Sequence, residues 1–194
     1  MDPNLLASFV PARWSCLGIE LRPFSLGHRI LLHSLASPFV ADASPVTPAN
    51  LMVAVQVCAR TWEDGLILCR DTRESDRAVG AMLRKQARDL QWQKHADHFS
   101  QYIEEGSRVP NFTMPGPGGG TRWTPWEQAM RICLMRELGL SESDVMNRPL
   151  VLSWWDYLTV KEEEGTLTIS TQDEQEFANR MFARADELCR EQQN

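Results

Sequence analysis

The chain has 194 residues, 43% hydrophobic and 24% charged, an ordinary globular composition with enough length to bury its own core. Its net charge of −6 weighs against general nucleic-acid binding, and no apolar run reaches the roughly 18 residues that a membrane-spanning helix needs. Five cysteines (Cys16, Cys58, Cys69, Cys133 and Cys189) are odd in number, scattered and without a CxxC pair, which argues against a disulfide scaffold or a zinc ribbon and favours buried reduced thiols.

The first residues, MDPNLLASFVPARW, carry no basic region ahead of an apolar stretch. No secretory signal is read there, and the cytoplasm is the expected location. Residues 17–24, LGIELRPF, alternate with period two, so a short extended segment is expected, at an edge because of Pro23. Ser25 is the cap of a helix to about Ser37, with Leu26, Ile30, Leu31 and Leu35 apolar. Thr47, with Pro48 at the first helical position, caps a second helix, ANLMVAVQVCAR, which is apolar on most sides and should be buried. A short helix or turn follows from Trp62 to Cys69. The longest helix is expected from about Glu74 to Glu105, weakened at Gly80 and broken or kinked near residues 90–92.

Residues 106–123, GSRVPNFTMPGPGGGTRW, are rich in Pro and Gly and are expected to form a flexible linker. It would separate an N-terminal helical part (1–105) from a C-terminal part (124–194), unless the two pack as one domain. In the C-terminal part, Thr124, Pro125 and Glu127 predict a capping box, and Trp126, Met130, Cys133, Leu134 and Leu138 predict one helical face that ends at Gly139. Ser141 with Asp144 starts a short helix around Val145. Pro149 starts a third, with Val151, Trp154, Trp155 and Leu158 as its stripe and Gly165 as its stop. TLTIS (166–170) is extended. Thr171 and Glu174 predict a second capping box for an amphipathic, acidic final helix to near Gln192. The fold class is therefore mostly α: a helical bundle with a short N-terminal extended segment and a Gly/Pro-rich internal linker. No internal repeat is present, and the acidic weight lies in the C-terminal part.

The reactive side chains are scattered. Gly116 to Gly120 is followed by Thr121 and Arg122 rather than by Lys and Ser/Thr, so it is a linker and not a phosphate-binding loop. His95 and His98 share a helix face at a metal-ligand spacing, but no third ligand is near in sequence; a solvated or partner-facing pair is expected. His28 and His33 are read as core-edge residues. Cys58, in an apolar helix, is read as structural, because its thiolate would be desolvated there. Asp156 and the run Glu162, Glu163 and Glu164 offer carboxylates, yet three consecutive Glu point in different directions. Placed at a helix C-terminus, their charge is mildly unfavourable and hints at a basic partner. Arg73, Arg77, Arg84 and Arg88 follow one helix face, most simply a solvated one. No cofactor and no metal are expected.

Three stretches together carry a resemblance: LRPFSLGHRILLHSLASPF (21–39), AVQVCART (54–61) and LGLSESDVMNRPLVLSWWDYLTVKEEEG (138–165). They resemble small phage and prophage proteins of tail-gene clusters, similar to the tail assembly chaperones of long-tailed phages. The similarity spans much of residues 17–178 and rests on an LGLS-type turn, a spaced Pro-Leu, then Trp/Tyr and Glu-Gly. It implies a mostly helical, non-enzymatic protein of the infected cell that binds the tape-measure or tail-tube protein. No catalytic residue is implied.

The expected partner-binding residues are Trp126, Met130, Trp154, Trp155 and Tyr157, partly on a surface that covers exposed apolar helix faces. One of Trp154 and Trp155 should belong to the core and the other to the surface. The alternatives are a structural tail or connector component of the virion, and an enzyme of unrecognised type using Asp156, His95 and His98.

Overall fold

The structure is a computed structural model. It describes residues 12–41, 45–71, 91–113 and 124–170, together with Phe9, Arg73, 76–80, Glu174 and Arg180. Thr171 of the expected capping box, the expected final helix to Gln192 apart from Glu174 and Arg180, Cys189, Arg84, Arg88 and the Gly-rich run 116–120 lie outside them.

The chain is mostly helical, as its periodicity predicts. It begins with a hairpin, β1 (Trp14–Cys16) and β2 (Ile19–Leu21), paired antiparallel with Trp14 opposite Leu21 and Cys16 opposite Ile19. The two turn residues, Leu17 and Gly18, both have positive φ, as a tight two-residue hairpin turn requires. Burial of the Leu17 side chain holds that residue in a conformation a branched side chain disfavours.

Helix α1 (Leu26–Ser34) follows, capped by the Ser25 hydroxyl, which accepts the His28 amide at 3.2 Å. It ends at Leu35, where Ala36 takes a left-handed φ of 49°. Thr47 caps α2 (Pro48–Cys58) in a capping box with Asn50. Helix α2 is the buried central helix expected from its composition, with Leu51, Met52, Ala54, Val55, Val57 and Cys58 in the core. Thr61 caps α3 (Trp62–Arg70). Gln91 lies in a turn, and α4 (Trp92–Gly106) starts after it; residues 81–90 lie outside the described residues.

The expected linker, 106–123, starts too early. Gly106 is the last residue of α4, and β3 (Phe112–Thr113) pairs antiparallel with β4 (Thr168–Ile169). The reason is a backbone partner that only the fold supplies: the Asn111 carbonyl accepts the Ser170 amide at 2.9 Å.

Helix α5 (Trp126–Glu137) starts behind Pro125, and no side chain caps it. The Thr124 capping box is thus corrected: Pro125 sits at the N-cap rather than at the first helical position. Leu138, expected on the buried stripe, is 45% exposed, because it lies beyond the last turn as the C-cap before Gly139. Ser141 and Asp144 form the expected capping box of α6 (Glu142–Asn147). Helix α7 (Leu150–Glu163) starts at Pro149. At its end the amides of Gly165 and Thr166 donate to the carbonyls of Glu162 and Lys161, with Gly165 at φ 70°, a Schellman stop.

Both parts of the sequence contribute to one buried cluster, which runs from Cys16, Phe24 and Leu26 through Phe99 and Tyr102 to Met130, Val145 and Leu150. Three connections close it. The Leu150 amide donates to the Phe24 carbonyl at 2.7 Å, beside a bridge between Ser25 and Pro149. The Trp62 amide donates to Asn147 Oδ1 at 2.8 Å. Gly27 lets α1 pass so close to α6 that a Cβ there would stand 2.7 Å from the Met146 carbonyl oxygen.

Candidate functional site

Two groups of aromatic side chains stand out. One is centred on the buried Phe99 and Tyr102 of α4, which meet the buried Phe24 and the half-buried Phe39 and Trp14, with ring centroids 4.8 to 5.9 Å apart. The Tyr102 hydroxyl donates to the Arg22 carbonyl at 2.8 Å, so a buried phenol is satisfied, and burial holds it well above the usual tyrosine range.

The other group lies on the α5–α7 face. Trp126 and Trp154 stack, with centroids 4.8 Å apart and planes 25° apart, and Tyr157 meets Trp154 edge-on at 6.0 Å. All three are half-buried, with one side packed against the core. A cation flanks each end of the row: Arg29 stands over Trp126 at 4.9 Å, and the Lys161 ammonium over Tyr157 at 5.7 Å. Both cations also have carboxylate partners, Glu127 for Arg29 at 3.3 Å and Glu164 for Lys161 at 2.6 Å.

Of the five residues expected to bind a partner, Trp126, Trp154 and Tyr157 are brought together in this row. Met130 is not part of it: it is fully buried, because the same helical spacing that aligns it with Trp126 turns it inward against the core. Trp154 and Trp155 do not divide into core and surface; both are half-buried, and the Trp155 indole N–H is enclosed without an acceptor. Arg29 was not singled out from the sequence. It lies on α1, far along the chain from Trp126, and no local pattern links the two.

The acid–base candidates are engaged elsewhere. Arg148 grips Asp156 through Nε at 2.8 Å and Nη2 at 2.6 Å, an ion pair between α6 and α7. His98 packs against Trp14 at 4.9 Å, and the His95 carbonyl accepts the Cys16 thiol at 3.6 Å. Among the described residues no three His, Cys, Asp or Glu side chains form a group that would hold a metal ion.

Burial pushes the Cys16 thiol up to about 11 and the Cys58 thiol higher still, so neither is a ready nucleophile. Two of the three carboxylates at the end of α7 are met within the chain: Glu162 accepts the Ile169 amide at 2.8 Å, and Glu164 accepts Lys161. Arg73 and Arg77 are exposed. Among the described residues no helix is long and apolar enough to cross a membrane.

In comparisons with protein-family models, curated proteins and solved structures, the chain matches none.

Proposed function

We propose that the chain is a non-enzymatic assembly factor that holds a protein partner on its α5–α7 face, with Trp126, Trp154 and Tyr157 as the anchors. The partner that the sequence resemblance implies is the tape-measure or tail-tube protein of a long-tailed phage, met in the cytoplasm of the producing cell. The observation that carries this reading is the aromatic row itself. Three large rings in mutual contact stay partly exposed in a chain that buries Phe99, Tyr102 and Phe24 almost completely. Rings of this kind, rigid and amphipathic, are the side chains that anchor protein interfaces. An unassembled tape-measure helix would offer them an apolar face.

The test is affinity capture of the tagged full chain from cells expressing the tail-gene cluster, with mass spectrometry of the eluate. Recovery of the tape-measure or tail-tube protein, reduced at least tenfold by Trp154→Ala and with the tagged chain missing from finished particles, supports the reading. Persistence of the chain in purified particles would favour the virion component instead. Equal capture by wild type and Trp154→Ala would remove the aromatic row from the interface.

A further inference from the structure

His28 occupies a position that neither the core nor the aromatic row accounts for. It is 2% exposed and lies in the first turn of α1, where a capping box ordinarily has Glu or Gln. Its Nδ1 accepts the Ser25 amide at 3.2 Å, which leaves that nitrogen no hydrogen of its own. Its Nε2 lies 2.8 Å from the Arg60 carbonyl and donates to it. The ring lies nearly parallel to Phe24, centroids 6.2 Å apart. One neutral imidazole thus joins the segment before α1 to the turn after α2. Ser25 also bridges to Pro149, so the start of α7 leans on the same residue.

A second proton is poorly placed in this arrangement, with only the Pro23 backbone nearby to favour it and burial opposing it more strongly. It would have to sit on Nδ1, where it would face the Ser25 N–H, donor against donor. The charged groups around the ring give no relief. On the segment before α1, the charge acting on it is that of Arg22, which repels a proton. After α2, Arg60 presents its carbonyl to the ring and sends its guanidinium to Gln56. On α3, Glu63 is turned to Ser143 and Asn147 of α6. On α1 itself, Arg29 is paired with Glu127 of α5. On α4, the Tyr102 hydroxyl is used by the Arg22 carbonyl. Burial therefore dominates, and the ring is held down to about 4.

We propose that His28 is an acid-sensitive latch: the neutral ring fastens the start of α1 to the turn after α2, and protonation unfastens it. The sign follows from linkage. The ring binds a proton less readily when fastened than when released. Fastening is therefore undiminished above the ordinary histidine value of about 6.5 and weakens as pH falls from there toward 4.

The experiment is hydrogen exchange of the wild-type full chain by NMR between pH 7.5 and 5, corrected for intrinsic exchange rates, with the His28 ring followed in the same samples. The expected result is a loss of protection at the Ser25 and His28 amides of about thirtyfold at pH 5, with the ring still largely neutral wherever α1 remains fastened. His28→Gln keeps the acceptor toward Ser25 and cannot take up the proton, so its protection should change less than about threefold over the same range. Should that variant not fold, the wild-type titration decides alone. Constant protection of Ser25 and His28 down to pH 5, or a His28 ring titrating near 6.5 with α1 still protected, would overturn the proposal.

Discussion

Two aromatic clusters of similar chemistry sit at very different depths. Around α4, Phe99 and Tyr102 are 0% and 2% exposed, and Tyr102 meets Phe24, itself 2% exposed. On α7, Trp154 and Tyr157 are only partly buried, although they pack against the same continuous core. The difference lies in what surrounds them. The α4 cluster is enclosed by the hairpin, the segment before α1 and α2, and its one polar tip finds a backbone carbonyl. The α7 row is edged by Arg29 and Lys161, which cover its ends with cations rather than with apolar side chains. Ring size and hydrophobicity therefore do not decide which aromatics form the core; the number of elements that converge on them does.

The strongest way to break this contrast is Phe99→Ala. It should cost about 3–5 kcal/mol in denaturant unfolding, as expected for emptying a closed core site. Partner capture per folded molecule should remain unchanged. Next comes Met130→Ala, expected to cost about 2–5 kcal/mol although it lies on the same helix as Trp126. A loss near zero would mean that the inner row of α5 is not sealed. The stacked pair should be weaker. A double-mutant cycle with Trp126→Ala and Trp154→Ala should give a coupling of about 0.5–1.5 kcal/mol beyond the two separate losses. Smallest is Arg29→Gln, which removes the cation over Trp126 and the pair with Glu127 and should cost about 0.5–1 kcal/mol, diminishing in high salt.

The helices were legible because their signals are local. Ser25, Thr47 and Ser141 each precede an apolar periodic run and each caps a helix, and Gly139 and Gly165 stop two others in the left-handed region. What stayed hidden depends on pairing across the chain. Strand β1 was not foreseen, because Leu17-Gly18 is not a common hairpin dipeptide; burial of Leu17, a tertiary effect, holds the turn. Strand β3 was concealed in a Pro/Gly-rich stretch, since its partner lies at Thr168–Ile169.

The candidate site was legible only in part. Trp126, Trp154 and Tyr157 follow helical spacing and lie together in one row, whereas Met130 follows it equally well and is interior. Periodicity reports which side of a helix is apolar, not how far its neighbours cover it. Ser25 was legible as a helix cap, but His28 only as a core-edge residue, and its part in the capping box came from the fold. Its meaning required knowing that Arg60 would lie on the other side of the ring.

The closing contacts of the core also set an order of events during synthesis. Trp62 finds its acceptor on Asn147, 85 residues further along the chain. At ordinary elongation rates of about 5–20 residues per second, that interval lasts roughly ten seconds. Throughout it, the side of α1 around Gly27 waits for Met146, and the Phe24 carbonyl waits for the Leu150 amide. A nascent chain halted before α6 thus has its first helix without a lid, exposed to whatever apolar surface is nearest. The residues translated late supply the lid for a helix translated early.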